Sequence, residues 1–137
     1  MSDCIFCRII SGAIPADIVW STEHCVVFLD AKPLFPGHVL IVPRQHYETL
    51  SDLPETAIAP LYGCVQKLAR VMESALGAEG SFTCNNNKIS QTVPHLHIHV
   101  MPRRKGDGMR GFFWPRHDYT GDSHRAEVVE KLRKALA

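Results

Sequence analysis

The sequence lacks an excess of charge of either sign: 15 Lys and Arg stand against 14 Asp and Glu, a formal net charge of +1. No bulk field therefore draws the chain to nucleic acid or to an anionic membrane. It has no apolar run near the roughly 18 residues that a membrane span needs. Its start, Met1-Ser2-Asp3-Cys4, does not have the pattern of a secretory signal, so a cytoplasmic chain is expected. Internal repeats and low-complexity segments are missing as well. So is an even cysteine count. Five cysteines in an unexported chain argue against a disulfide framework and for reduced thiols, metal ligands or small buried residues. What remains is 137 residues, 45% of them apolar, enough for one domain with its own core, and an unusual eight histidines. The expected organisation is a single domain over 1–137, with a core at 4–104 and a tail at 105–137.

Runs of β-branched and aromatic residues predict short strands at Ile18–Trp20, Cys25–Leu29, His38–Val42, Ser81–Cys84 and Val93–Met101. Turns and a Pro/Gly loop (Asp30–Gly37) separate the early ones, which suits an antiparallel meander better than parallel crossovers. From residue 52 the period changes. Ile58, Leu61, Val65, Leu68, Met72 and Leu76 advance by threes and fours, the apolar stripe of one long helix. Asp52 followed by Glu55 resembles a capping box, Pro54 suits the first turn, and Gly77 suits the C-cap. Glu127–Leu136 predicts a short C-terminal helix, with Val128, Val129, Leu132 and Leu136 on one side. The expected class is α+β, antiparallel strands packed on one main helix.

His95-Leu96-His97-Ile98-His99-Val100 alternates strictly. On a strand this puts the three histidines on one face, with steps of about 7 Å, and the aliphatic residues on the other. Two chemistries fit such a row: a metal site, or a phosphate-handling site with histidine as nucleophile and donor. The step length opposes a cage in which all three bind one metal. Cys4-x-x-Cys7 fits a redox pair or a metal, and no zinc-finger spacing follows it. Cys25, Cys64 and Cys84 sit in apolar settings and suit buried core positions.

The His-x-His-x-His row at 95–99 resembles the signature of the histidine-triad (HIT) family of nucleotide hydrolases and transferases. Its flanks, Gln91-Thr92-Val93 and Met101-Pro102-Arg103, are similar too. So are Phe28-Leu29-Asp30, Pro36-Gly37-His38 and Val42-Pro43-Arg44-Gln45-His46. Cys4-Ile5-Phe6-Cys7-Arg8-Ile9-Ile10 resembles the N-terminus of the zinc-containing branch. The likeness spans residues 4 to about 104 in order.

The resemblance implies a HIT-like fold: a five-stranded antiparallel sheet with one long helix, paired into a homodimer. It implies hydrolysis of nucleoside 5'-phosphoramidates or related nucleotidyl conjugates, with adenosine favoured, or else of dinucleoside polyphosphates. His97 would be the nucleophile that forms a nucleotidyl-histidine, and His99 would bond the phosphate or leaving group. Gln91, Thr92 and Asn85 would lie at the phosphate, although three asparagines (85–87) stand where many relatives have glycines. Ile5, Phe6, Ile9, Phe28 and Leu29 would hold the base, Asp30 the ribose hydroxyls, and His38 would support the site. Cys4, Cys7, His46 and His95 would bind a structural zinc. A different class also fits these residues, a zinc-stabilised nucleotide-binding module with negligible turnover. The aromatic cluster Phe112-Phe113-Trp114 is expected to pack in the tail.

Overall fold

The β-branched runs become β1 (Ile18–Ser21), β2 (Cys25–Leu29) and β3 (Val39–Pro43), and β4 (Gly80–Cys84) and β5 (Ile98–Arg103) follow the long helix. Every pairing is antiparallel, in the order β1-β2-β3-β5-β4. The α+β class and the five-stranded sheet expected from the sequence are both present. The computed structural model describes residues 3–110 and 114–137. Phe112 and Phe113 of the aromatic cluster lie outside the described residues, and Trp114 is exposed.

The long helix is α2 (Glu55–Leu76), and it buries Leu61, Cys64, Val65, Leu68 and Met72. These pack with Val27, Ile41, Ile98 and Val100 of the sheet and with Leu96 just ahead of it. Ile58 and Leu76 share the stripe but lie in the end turns, where both are 43% exposed. Gly77 closes the helix at φ 67°, its N–H donating to Glu73 O while Ala78 N–H donates to Met72 O. The bond from Gly77 N–H to the carbonyl four residues back is that of an αL C-cap, a conformation glycine enters without strain.

The start of α2 differs from expectation. Asp52 does not cap it: its carboxylate accepts from Thr49 N–H (3.0 Å) and the Thr49 hydroxyl (2.8 Å) around the 3-10 turn Leu50–Asp52. Pro54 is the N-cap residue, one position before the first turn. Leu53 ahead of it is extended (ψ 126°), as a residue preceding proline must be, so the helix cannot start earlier.

A second apolar layer covers the other face of the sheet. Phe6 and Ile9 pack there with Val26, Phe28, Leu40 and Val42. They come from α1 (Ile5–Ile10), a helix the sequence pattern does not reveal. Six residues are too few to be helical alone, so docking and capping decide the matter. Cys4 Sγ supplies the cap by accepting from Cys7 N–H at 3.4 Å.

The histidine strand is shorter than expected. β5 begins at Ile98, not Val93, and residues 93–97 leave the ladder. The reason lies in two prolines. β3 pairs with β5 only as far as Ile41↔Ile98. Further pairing would need backbone donors that Pro43 and Pro94 lack. Leu96 N–H donates instead to Tyr47 O at 2.7 Å. The alternation survives all the same, because Leu96, Ile98 and Val100 all enter the α2-side cluster.

The chain divides into a compact unit ending at Asp107 and a second, Gly108–Ala137. Within the second, α3 (Asp122–Leu136) begins before the expected Glu127, with Gly121 as N-cap residue and Asp122 in the first turn. A carboxylate there complements the helix dipole. No helix among the described residues is long and apolar enough to cross a membrane.

Candidate active site and metal centre

Cys4 caps α1, Cys7 lies one turn on, His46 follows β3, and His95 sits in the irregular segment before β5. The fold brings all four together, with their donor atoms within 4.8 Å of one another. Cys4 Sγ is 3.4 Å from His95 Nδ1, Cys7 Sγ is 3.3 Å from His46 Nδ1, and Cys7 Sγ is 3.6 Å from His95 Nδ1. A tetrahedral ion with bonds of about 2.3 Å to sulfur and 2.0–2.1 Å to nitrogen sets S···N edges of about 3.5 Å. These three S···N separations match such an ion. The ring of His95 is oriented for it as well. Its Nε2 lies 2.9 Å from Pro43 O, a pure acceptor, so the proton is on Nε2 and Nδ1 presents its lone pair to the thiols. Burial pushes His95 down to about 4, which keeps the ring neutral and able to ligate. These four residues can hold a metal ion.

His97 takes the opposite tautomer. Its Nδ1 lies 2.7 Å from His95 O, so Nδ1 carries the proton and Nε2 keeps a free lone pair. Phe6 stands edge-on to both rings, with centroids 5.9 Å from His95 and 5.1 Å from His97. Burial holds His97 below the usual imidazole range and pushes His99 down to about 4. Two neutral imidazoles, 5.1 Å between centroids, therefore stand side by side at neutral pH. One offers a nucleophilic nitrogen to whatever lies beside it.

They open onto a cleft of about 760 Å³. Ile5, Phe6, Ile9, Phe28, Leu29, Asp30, Thr92, His97 and His99, all expected at the substrate, line it. Asp30 Oδ1 accepts from Lys32 N–H at 2.9 Å, which holds the carboxylate at the rim. Asn85 and Gln91, also expected at the substrate, are not among the lining residues. Gln91 braces its own loop: Lys88 N–H donates to Oε1 (2.8 Å) and Nε2 donates to Glu48 O (2.6 Å). Of the three asparagines, Asn87 ties the loop to the 3-10 turn by accepting from Leu50 N–H at 2.9 Å. Lys88 and Ser90 adopt left-handed backbone, φ 69° and 59°, without glycine. No local pattern marks Ile14, Ala16 or Asp17, which line the cleft from the turn after α1.

Residues 11–106 match the HIT domain. An adenosine 5'-monophosphoramidase of Candida albicans is 32% identical over 142 residues, 99% of this chain and 93% of that protein. An adenylylsulfatase of Arabidopsis thaliana is 31% identical over 142 residues, 98% of this chain and 70% of the relative. The crystal structure of a zinc-bound histidine triad family protein from Mycobacterium smegmatis has the same fold, with a TM-score of 0.75 and 34% identity over 98% of both chains. The domain match covers well over half of the sequence, and the chain belongs to the HIT domain family.

Proposed function

We propose that this protein hydrolyses nucleoside 5'-phosphoramidates or related adenylyl conjugates through a nucleotidyl-histidine. The observation that carries the reading is the hydrogen bond from His97 Nδ1 to His95 O, 2.7 Å, which leaves Nε2 bare at the cleft. His97 Nε2 attacks the α-phosphorus, and the leaving group departs with the bonding electron pair and a proton taken up from solvent. Water then cleaves the new P–N bond, giving the nucleoside monophosphate and free His97. His99 bonds the phosphoryl oxygens, Thr92 adds a hydroxyl, and Asp30 offers two acceptors to the ribose diol. The base lies among Ile5, Phe6, Ile9, Phe28 and Leu29. Adenosine is the favoured nucleoside, and the names of the phosphoramidase and adenylylsulfatase relatives support it.

The metal of this reading is zinc, held by Cys4, Cys7, His46 and His95. Four protein donors leave no open position, so the ion organises structure and takes no part in turnover. The expected homodimer and a cytoplasmic setting, where thiols stay reduced, belong to the same reading. The test incubates the protein with an adenosine phosphoramidate and traps the labelled enzyme. Wild type is expected to release adenosine monophosphate and His97→Ala to bind nucleotide without turnover. Undiminished turnover by His97→Ala would remove the nucleophile assignment.

A further inference from the structure

The loop joining β2 to β3 carries a line of hydrogen bonds that ends in the cleft. Leu34 N–H donates to His38 Nδ1 at 3.1 Å. His38 Nε2 lies 2.9 Å from His99 Nδ1 and 3.6 Å from Asp30 Oδ2. His38 is only 3% exposed, so water cannot relieve a mismatched contact. The polarity of the whole line follows from its first member, because a backbone N–H can only donate. His38 Nδ1 is thus the bare nitrogen, and the proton of the neutral ring is on Nε2. That proton points to His99 Nδ1, which must accept it. The proton of His99 is then on Nε2, the nitrogen left for the cleft. Asp30, an acceptor when ionised, favours the same tautomer of His38.

The Leu34 amide rules out two other states. An imidazolium at 38 would turn a second donor toward Leu34 N–H, and burial also keeps this ring neutral. Asp30, His38 and His99 have donor atoms within 4.8 Å of one another, close enough to share a cation. A metal on His38 Nε2 would move the ring proton to Nδ1 and into the same amide.

We propose that the Leu34 amide, acting through His38, fixes His99 as an Nε2–H donor facing the phosphoryl group in the cleft. His38 is then a positioning residue for the reaction proposed above, on which this inference rests. Along 95–99 the free lone pair alternates: Nδ1 of His95 toward the thiols, Nε2 of His97 toward phosphorus, Nδ1 of His99 toward His38. Without His38, the His99 ring is free to flip or change tautomer and present a lone pair to phosphoryl oxygens that are themselves acceptors.

Two measurements on the intact protein test this. Nitrogen-15 spectra of the imidazoles, assigned with His38→Gln and His99→Asn, are expected to show His38 and His99 with protonated Nε2 and bare Nδ1. A proton on Nδ1 of either ring overturns the proposal. In turnover of an adenosine phosphoramidate, His38→Leu is expected to lower kcat about ten- to a hundredfold. KM should stay within about threefold. His38→Gln, whose amide can still donate to His99 Nδ1, should recover most of the loss. Equal losses in Gln and Leu variants that melt like wild type would refute it. If wild type turns over no adenosine conjugate, the hydrolase reading fails, while the imidazole spectra still decide the tautomers. If the Leu variant does not fold, the spectra of wild type and the Gln variant decide in the same way.

Discussion

Acid is expected to weaken this protein more than its His99→Asn variant, by an amount the structure sets. Burial pushes His99 from its usual 6.5 down to about 4. Above pH 6.5 the ring is neutral in both folded and unfolded chains, and pH has no hold on stability through it. As pH falls below 6.5, the unfolded chain takes up a proton that the folded protein refuses, so stability falls. The loss is complete near pH 4, where the folded protein accepts the proton too. The full shift is worth about 2 kcal/mol at pH 5. His99 is partly exposed, and solvent screening reduces this to about 1 kcal/mol. The assay is urea unfolding at pH 7.5, 6.5, 5.5 and 5.0 for both proteins. The wild type should lose about 1 kcal/mol more than His99→Asn between the first and last conditions. An identical pH slope in the two proteins would refute the burial argument for this ring.

Removing the metal with a chelator, or replacing Cys4 or Cys7 by Ser, should lower Tm and abolish stoichiometric zinc, as metal analysis and thermal melts would show. Full zinc in both variants would dismiss the ligand set. Gly37→Ala should destabilise by about 1–3 kcal/mol. At φ 99° the new Cβ would come 2.5 Å from Leu76 Cδ1, and because residue 37 adjoins His38, turnover should fall along with the melting temperature. Gln91→Ala should leave the melt within about 1 kcal/mol of wild type, since it removes one loop brace. Its KM should rise as the 88–91 loop loosens, and an unchanged KM would separate that loop from the substrate.

The long helix and the alternation of 95–100 were legible because each follows from a local period that packing then respects. Leu61, Val65, Leu68 and Met72 face the sheet as their spacing requires. Leu96, Ile98 and Val100 reach the core although half of their segment is not strand. What sequence could not supply was tertiary. The apolar pattern of Ile5–Ile10 is too short to mark a helix; docking on Phe28 and Val42, with the Cys4 cap, makes it one. The four candidate metal ligands are separated by as many as 91 positions, and no spacing rule joins them. They were expected only through family resemblance, and the fold supplies the geometry. β5 starts later than the apolar run suggests because Pro94, and Pro43 on the neighbouring strand, lack the backbone donors that further pairing would need. Gln91 is expected at the phosphate through the same resemblance, and its side chain bonds Lys88 N–H and Glu48 O.

His95 divides its duties between atoms that do not compete. The side chain turns to the thiols and to Pro43 O, while the peptide carbonyl alone orders the ring of His97. Side chains are open to substitution, and carbonyls are common to all residues. A chain that exchanged His95 for another compact residue could give up the candidate metal site and still keep the acceptor that orders the His97 ring. Anchorage and reactivity can therefore drift apart in evolution or in redesign, although they meet in a single residue.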